Sequence, residues 1–409
     1  MGWTRRSVIS VLLVTLWVLA AGLMGTGYAQ TVKEVKIGSP HPLTGGWAEV
    51  GINSVRGLKL GVKHINEAGG VKALGGAKLV VVEGDTGSTD PAMAASVTRR
   101  LITEDKVTVL AGCYASNLTL QASTEAERYK IPIIAQSFVD RLTERGYQYY
   151  FQLPPKASQL GQKTIEYTFE VLKAAGRTVT KAAVCGGNDA ATKGQLEAVI
   201  QKLKEAGLGV PVFELYPLGL TDASPIVTKI RESKADMMVI GGIAVADFIL
   251  IIRNLRAIGV NIPIFATGGG GILNRGFGDG LGPAADGTFA LAAWSWDLPY
   301  SGVARVASAY EKEYNEPFMP QEAGEMYIAA WIYKEAVEKA RKADPTAIRD
   351  VLATYDSSTG PAGMMTGGGV KFDKTGWNEK VFPVMVEWKD NKPRAVWPQK
   401  VQAMKPFLK

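Results

Sequence analysis

The sequence predicts an α/β chain built as two three-layer α/β/α lobes joined by a three-segment hinge. Three observations carry that expectation. From residue 35 onward, short Val/Ile-rich runs alternate with amphipathic helical stretches. The apolar runs lack period-2 alternation, as strands buried on both faces of a parallel sheet do. The alternation also comes as two series, about 33–152 and 156–283, with Leu153-Pro154-Pro155 at their join. Roughly 380 residues beyond a leader exceed one core at typical domain sizes of about 100–200 residues, so two lobes suit the length.

The leader comes first. Arg5 and Arg6 precede an uncharged, mostly apolar run at 7–23, and Gly27-Tyr28-Ala29 follows, the pattern of a secretory signal peptide over 1–29. A retained span would need ~20 apolar residues. Thr4-Arg5-Arg6-Ser7 touches the twin-arginine signal, though Val8 and Ser10 fit its remainder poorly, so the export route stays open. No Cys lies near the cleavage region to carry a lipid. The mature chain is expected to begin near Gln30 and to work in solution outside the cytoplasm.

Strands are then expected at 35–38, 78–82, 107–111, 131–135, 181–185, 210–215, 236–241, 262–267 and 288–292. Between them, Val55, Leu58, Val62 and Ile65 share one helical face, as do Leu196, Val199, Ile200 and Leu203. Breaks such as Glu67-Ala68-Gly69-Gly70 sit where a C-cap would. The strongest helix is expected at 321–342, and a β-rich tail includes 381–388. The expected division is 30–152 and 284–361 for the first lobe, 153–283 and 362–409 for the second. Its crossings fall near 152–156, 281–288 and 358–363, and parallel crossings can bend together as a hinge.

Composition excludes several classes. Hydrophobic residues make up 46% and charged residues 21%, ordinary globular values. The net charge of +7 becomes +5 without Arg5 and Arg6, and Lys and Glu are interspersed, as at 202–205. Nucleic-acid binding would want clustered Lys/Arg, so no nucleic-acid partner is expected. Cys113 and Cys185 fall in different expected lobes, where a disulfide would lock them together, so two buried free thiols are expected. His41 and His64 are too few for a His-rich metal site, and no metal or cofactor is expected. Neither 268–271 nor 186–189 has the phosphate-cradling G-x-x-x-x-G-K-[ST] spacing, and no G-x-S-x-G elbow supports a triad.

Val35-Lys36-Ile37-Gly38, Pro42-Leu43-Thr44-Gly45, Gly51, Gly57-Leu58-Lys59-Leu60-Gly61 and Ile65-Asn66-Glu67-Ala68-Gly69-Gly70-Val71 follow in a specific order. Asp85, Asp90-Pro91-Ala92, Leu110-Ala111-Gly112 with Ser116, and Leu142-Thr143-Glu144-Arg145-Gly146-Tyr147 continue it. In this order and spacing the mature chain resembles the leucine/isoleucine/valine-binding type of solute-binding protein. The resemblance implies a type I periplasmic-binding fold, a non-enzymatic monomer in the periplasm, capture of a small molecule between two lobes, and delivery to the membrane permease of an ABC importer. A ligand-sensing subunit of a membrane receptor or kinase is the alternative.

Candidate site residues follow from strand ends. The 112–117 turn leaves a buried strand and should open a helix, so its N–H groups suit a ligand carboxylate, and Ser116 adds a hydroxyl donor. Ser116 falls on the serine that the amino-acid-binding relatives use, although a helix N-cap is its ordinary role. Ser137 and Phe138 follow the neighbouring strand, in the crevice where open α/β sheets bind ligands. Trp47, Tyr114, Phe138, Trp294 and Trp296 stand near expected strand ends and could line an apolar cleft, or pack in the core. Ala115, Asn117, Asp189, Gly268 and Gly269 complete the candidate lining. Glu322 and Glu325 share a helix face, ordinarily a solvated one, yet Glu322 stands near enough to the helix start to meet the cleft. Tyr327 and Trp331, four apart, read as core.

Two departures bear on the ligand. The amino-acid-binding relatives place an acid for the ligand ammonium after the strand at 262–267, where this chain has four glycines, 268–271. They also carry a tyrosine where this chain reads Ala190-Ala191-Thr192. An aromatic or branched apolar carboxylate is therefore expected, with an amino acid as the other possibility.

Overall fold

The computed structural model describes residues 32–408. The first series runs β1 (Glu34–His41), α1 (Ala48–Glu67), β2 (Lys78–Asp85), α2 (Pro91–Thr103), β3 (Val109–Ala111), α3 (Ser116–Tyr129), β4 (Ile133–Ala135), the single turn α4 (Arg141–Glu144) and β5 (Tyr150–Gln152). Its strands form one parallel sheet in the order β2-β1-β3-β4-β5. β3 and β4 are buried at every residue, which is why their sequences read as unbroken apolar runs. Local chemistry sets the boundaries: Asp90 accepts the Ala92 N–H at 2.8 Å with Pro91 next in the chain, and so starts α2.

The second series is α5 (Ala157–Ala174), β6 (Lys181–Gly187), α6 (Ala190–Glu205), β7 (Gly209–Tyr216), α7 (Ser224–Ser233), β8 (Met237–Gly241), α8 (Val245–Ala257), β9 (Ile264–Ala266), α9 (Arg275–Leu281) and β10 (Thr288–Ala292). Then come α10 (Val303–Tyr314), α11 (Gln321–Ala340), α12 (Pro345–Leu352), the small ribbon β11 (Asp356–Ser357) and β12 (Val370–Lys371), and the hairpin β13 (Val384–Lys389) and β14 (Lys392–Trp397). The second sheet is ordered β14-β13-β10-β9-β8-β6-β7. From β7 to β10 it repeats the parallel order of the first sheet, and β13 and β14 extend it antiparallel. In both sheets the chain starts on an inner strand, moves outward and then jumps back, which leaves a switch point between β1 and β3 and another between β6 and β8.

Each expected strand is present, with ends shifted by up to three residues. β5 and the two-residue β11 and β12 are not among the expected strands, and β14 extends the expected β-rich tail. β5 is only three residues long and merges with the join, while β14 carries Pro393 and sits at the sheet edge, where a missing N–H is tolerated. Two boundaries of the expected division are corrected. β10 lies between β9 and β13, so 288–292 belongs to the second sheet and not to the first lobe; the crossing comes after Ala292. The third crossing also comes later. The Gln152 N–H donates to the Gly376 carbonyl at 2.8 Å and the Asn378 N–H donates to the Gln152 carbonyl at 2.9 Å, which holds 376–378 on the edge of the first sheet. The first crossing lies between β5 and α5. The leader expected at 1–29 lies outside the described residues, and among those residues no helix is long and apolar enough to cross a membrane.

α11 returns to the first lobe and packs on α1 at very short range. An added Cβ at Gly57 would stand 2.1 Å from the Ala323 carbonyl oxygen, and one at Gly61 would stand 2.8 Å from Ala330 Cβ. The helices approach backbone to backbone because α1 offers glycine on that face. The second lobe repeats the device, since a Cβ at Gly161 of α5 would stand 2.1 Å from the Gln195 carbonyl oxygen of α6. Gly57→Ala is expected to destabilise the protein by about 1–3 kcal/mol, the usual range for overpacking, read as a shift of the denaturation midpoint; an unshifted midpoint would show that the helices separate freely.

Candidate functional site

The carboxyl ends of the two sheets face each other, and the loops that leave them enclose one cleft. Tyr114, Ala115 and Ser116 follow β3, and Phe138 follows β4. Ala191, Thr192 and Gln195 stand on the first turns of α6, Gly242 and Ile243 follow β8, and Gly268 and Gly269 follow β9. Together they surround a narrow void. The lobes are closed on each other, and no lining residue carries a charge.

On the first-lobe side, the amides at the start of α3 have no intrahelical partner and carry the positive end of the helix dipole. Ala115 holds the N-cap position and Ser116 is the first helical residue, so the N-cap role considered for Ser116 is not the one it has. The Ser116 Oγ instead accepts the N–H groups of Phe138 at 3.2 Å and Val139 at 3.3 Å, tying the two strand-end loops together. With its acceptor sites used, its own hydroxyl proton remains available to a ligand. Tyr114 is fully buried, its ring meets Phe138 edge-on at 6.3 Å, and its Oη accepts from Gln321 Nε2 at 3.1 Å. Gly112, at φ +142°, lets the turn pass the Pro40 carbonyl, which an added Cβ would meet at 2.6 Å.

The second-lobe side is neutral. Gln195 Oε1 accepts from the Thr267 hydroxyl. Gly269, at φ +134°, lies where a Cβ would be 2.2 Å from the Gly242 carbonyl. Among the candidate residues, the structure brings Tyr114, Ala115, Ser116, Phe138, Gly268 and Gly269 to the void.

The others lie elsewhere. Ser137 bonds behind the turn, donating toward the Cys113 and Tyr114 carbonyls at 3.1 and 2.9 Å. Asn117 is half-buried one residue into α3, its Oδ1 without a partner among the described residues. Trp47 is buried just before α1, its backbone N–H on Ser88 Oγ at 3.0 Å. Asp189 is corrected to a helix cap: its carboxylate accepts the Ala191 and Thr192 N–H groups, both at 3.0 Å, and the Thr192 hydroxyl at 2.6 Å. Burial raises its pKa, offset in part by those three donors.

Trp294 is corrected to core, with its indole N–H on the Met364 carbonyl at 3.0 Å and its ring against Gly324. Trp296 joins it away from the void, donating to the Pro393 carbonyl at 2.8 Å beside Arg394. Both follow β10, whose end meets the start of α11 through the Ala293 N–H on Gln321 Oε1 at 2.8 Å.

Glu322 and Glu325 are fully buried, against the solvated face expected for them, because α11 is packed on all sides over its first turns. Glu322 does not line the void. Tyr327 is core as expected, its hydroxyl 3.0 Å from His64 Nδ1. Cys113 and Cys185 are free and buried; burial pushes the Cys113 thiol up to about 12 and that of Cys185 upward as well. Thr192, Gln195, Gly242 and Ile243 were missed. Applying the strand-end rule to β6 and β8, as it was applied to β3 and β4, would have found most of them.

A profile described as periplasmic binding protein matches residues 34–378. The Leu/Ile/Val-binding protein homolog 7 of Brucella abortus (strain 2308) is 28% identical over 389 residues, 93% of this chain and 95% of that protein. The branched-chain amino acid transporter substrate-binding protein of Streptococcus pneumoniae, solved in complex with isoleucine, superposes with a TM-score of 0.76 at 25% identity, over 89% of this chain and 98% of that one. An ABC transporter solute-binding protein from R. palustris, solved with benzoate, has a TM-score of 0.73 at 21% identity over 90% and 99%.

Asp189→Ala is expected to lower the unfolding free energy by about 0.5–2 kcal/mol, the value of a lost cap, in a denaturant titration. Asp189→Asn should recover most of it. Equal stability of all three chains would refute the capping role.

Proposed function

The chain belongs to the periplasmic binding protein family, and on that premise we propose that it is an exported, non-enzymatic binding protein that captures a small apolar carboxylate between its lobes. It prefers an aromatic or branched acid to an α-amino acid and delivers it to the permease of an ABC importer. The observation that carries the ligand class is the uncharged lining of the cleft. A buried ammonium needs a carboxylate or several acceptors, because an unpaired buried charge costs several kcal/mol. The second-lobe wall offers Ala191, Thr192, Gln195, Gly242, Ile243, Gly268 and Gly269, none of them an anion. The first-lobe wall offers the donors a carboxylate needs: the α3 N-terminus and the Ser116 hydroxyl. Tyr114 and Phe138 supply ring surface for an apolar body.

Fold likeness does not choose the ligand, since the S. pneumoniae relative was solved with isoleucine and the R. palustris one with benzoate. The lining supports the choice. Only the closed form touches a solute from both lobes, so binding favours closure about the three crossings. The proposed contacts are Tyr114, Ala115, Ser116, Phe138, Gly268 and Gly269, joined by the α6 and β8 residues.

Calorimetric titration of benzoate and leucine, side by side, tests the ligand class. Benzoate is expected to bind at least tenfold more tightly, and micromolar leucine binding with no response to benzoate would overturn the reading. Ser116→Ala should weaken benzoate by about ten- to a hundredfold, the loss of one charge-assisted hydrogen bond of ~1.5–3 kcal/mol. Small-angle scattering should show the radius of gyration falling on saturation.

A further inference from the structure

The seam between the lobes holds a carboxyl group that neither the cleft nor the core explains. Glu322 and Glu325 stand three residues apart at the start of α11, both fully buried. At Glu322, α1 of the first lobe brings Asn53 and the turn before α9 of the second lobe brings Asn274. Asn53 Nδ2 donates to Asn274 Oδ1 at 2.6 Å, and Asn274 Nδ2 donates to the Gly270 carbonyl. The first of these bonds joins the lobes, as does the Gly276 N–H on Glu49 Oε1 at 2.9 Å. Both carboxyl oxygens of Glu322 are buried without a well-formed hydrogen bond among the described residues, and the Asn53 and Asn274 amides beside them offset that burial only in part.

The groups facing Glu322 give it no counter-charge. Glu49 stands on α1, Glu325 on the same helix, Tyr114 on the turn before α3 and Tyr310 on α10. The Arg56 guanidinium is held by Glu316 at 2.9 Å, and Arg275 by Asp279 at 2.9 Å and Glu316 at 3.6 Å. Glu325 Oε2 accepts from Gln136 Nε2 at 3.3 Å, and its other oxygen has no partner among the described residues.

We propose that Glu322 is a proton-operated latch on lobe closure: the neutral carboxyl fits the seam between α1, α11 and the Asn274 turn, the carboxylate does not, and closing takes up a proton that the open form leaves in solution. The proposal rests on the reading that the lobes close on a solute and adds a second requirement for closing. Opening draws Asn274 away from Asn53 and admits water to the carboxyl, which then ionises as an exposed glutamate does.

The electrostatics give the direction. Burial pushes Glu322 from 4.5 up to about 8, and burial with the neighbouring Glu322 charge pushes Glu325 well above its ordinary value. A group whose pKa is raised in the closed form favours closure fully below its open-form value. The preference is lost as pH rises, by up to about tenfold per pH unit, and is gone above about 8. Closure is therefore strongest in acid.

The inter-lobe distance of the ligand-free chain tests this without any assumption about the solute. Spin labels on Met93→Cys of the first lobe and Phe213→Cys of the second report it; both positions are exposed, and the native Cys113 and Cys185 are buried. Between pH 5.5 and pH 9 the ratio of closed to open distances is expected to fall at least tenfold, and in a Glu322→Gln background to stay constant. A constant ratio without that substitution, or a glutamine variant that follows the parent, overturns the latch. Should the glutamine variant fail to fold, Glu322→Met, uncharged at every pH, replaces it; it should lose the pH response, and retention of the full response would equally overturn the proposal. Failure here leaves the carboxylate preference standing, and failure of the benzoate titration leaves the latch standing.

Discussion

The repeated switch point governs this structure. Parallel strands need crossover helices, and where the strand order reverses, successive crossovers leave the sheet on opposite faces and part at the carboxyl edge. β1 and β3 make such a gap in the first sheet, β6 and β8 in the second, and the two gaps face each other. Everything the cleft does follows from that opposition. A helix N-terminus arrives on one side, backbone-rich turns arrive on the other, and neither lobe alone encloses a solute. The glycine-tight helix pairs α1–α11 and α5–α6 brace the two halves.

The cleft walls divide the electrostatic work unequally. The first lobe presents oriented N–H groups and a hydroxyl already fixed by two backbone donors, an arrangement suited to anions because no reorganisation is needed when one arrives. The second lobe presents small neutral residues and tight glycine turns, which admit a solute body without solvating a cation. A charge brought against such a wall would be stranded. Asp189 sharpens the point. It is the acid nearest in sequence to that wall, and its acceptor capacity is taken up by capping α6.

Behind the cleft, the seam collects polar groups that the fold cannot avoid burying. α11 comes back from the second lobe to cover the first, and its opening turn, Gln321 to Glu325, is driven into the junction. Gln321 is satisfied on both sides, by the Ala293 N–H at 2.8 Å and by the Tyr114 hydroxyl at 3.1 Å. The glutamates are less fully satisfied, and partly satisfied polar groups are costly to bury.

The sequence by itself determined the alternating architecture, the approximate place of nearly every strand, and the first-lobe half of the cleft. Each of these depends on local pattern. A parallel strand shows as an apolar run, and the residue after it lies at the carboxyl edge whatever the partner, which is why Tyr114, Ser116 and Phe138 were legible. The tertiary structure alone decided which strand ends remain open. Trp294 and Trp296 follow a strand as Phe138 does, but β10 gains β13 on its free side and α11 over its end, so the same local signal leads into the core. The burial of Glu322 and Glu325 was likewise hidden, because a helix covered by its own lobe and met by another carries no mark of its second neighbour in its own period. The crossings moved for the same reason: backbone hydrogen bonds, not the position of a proline or glycine break, decide which sheet a segment joins.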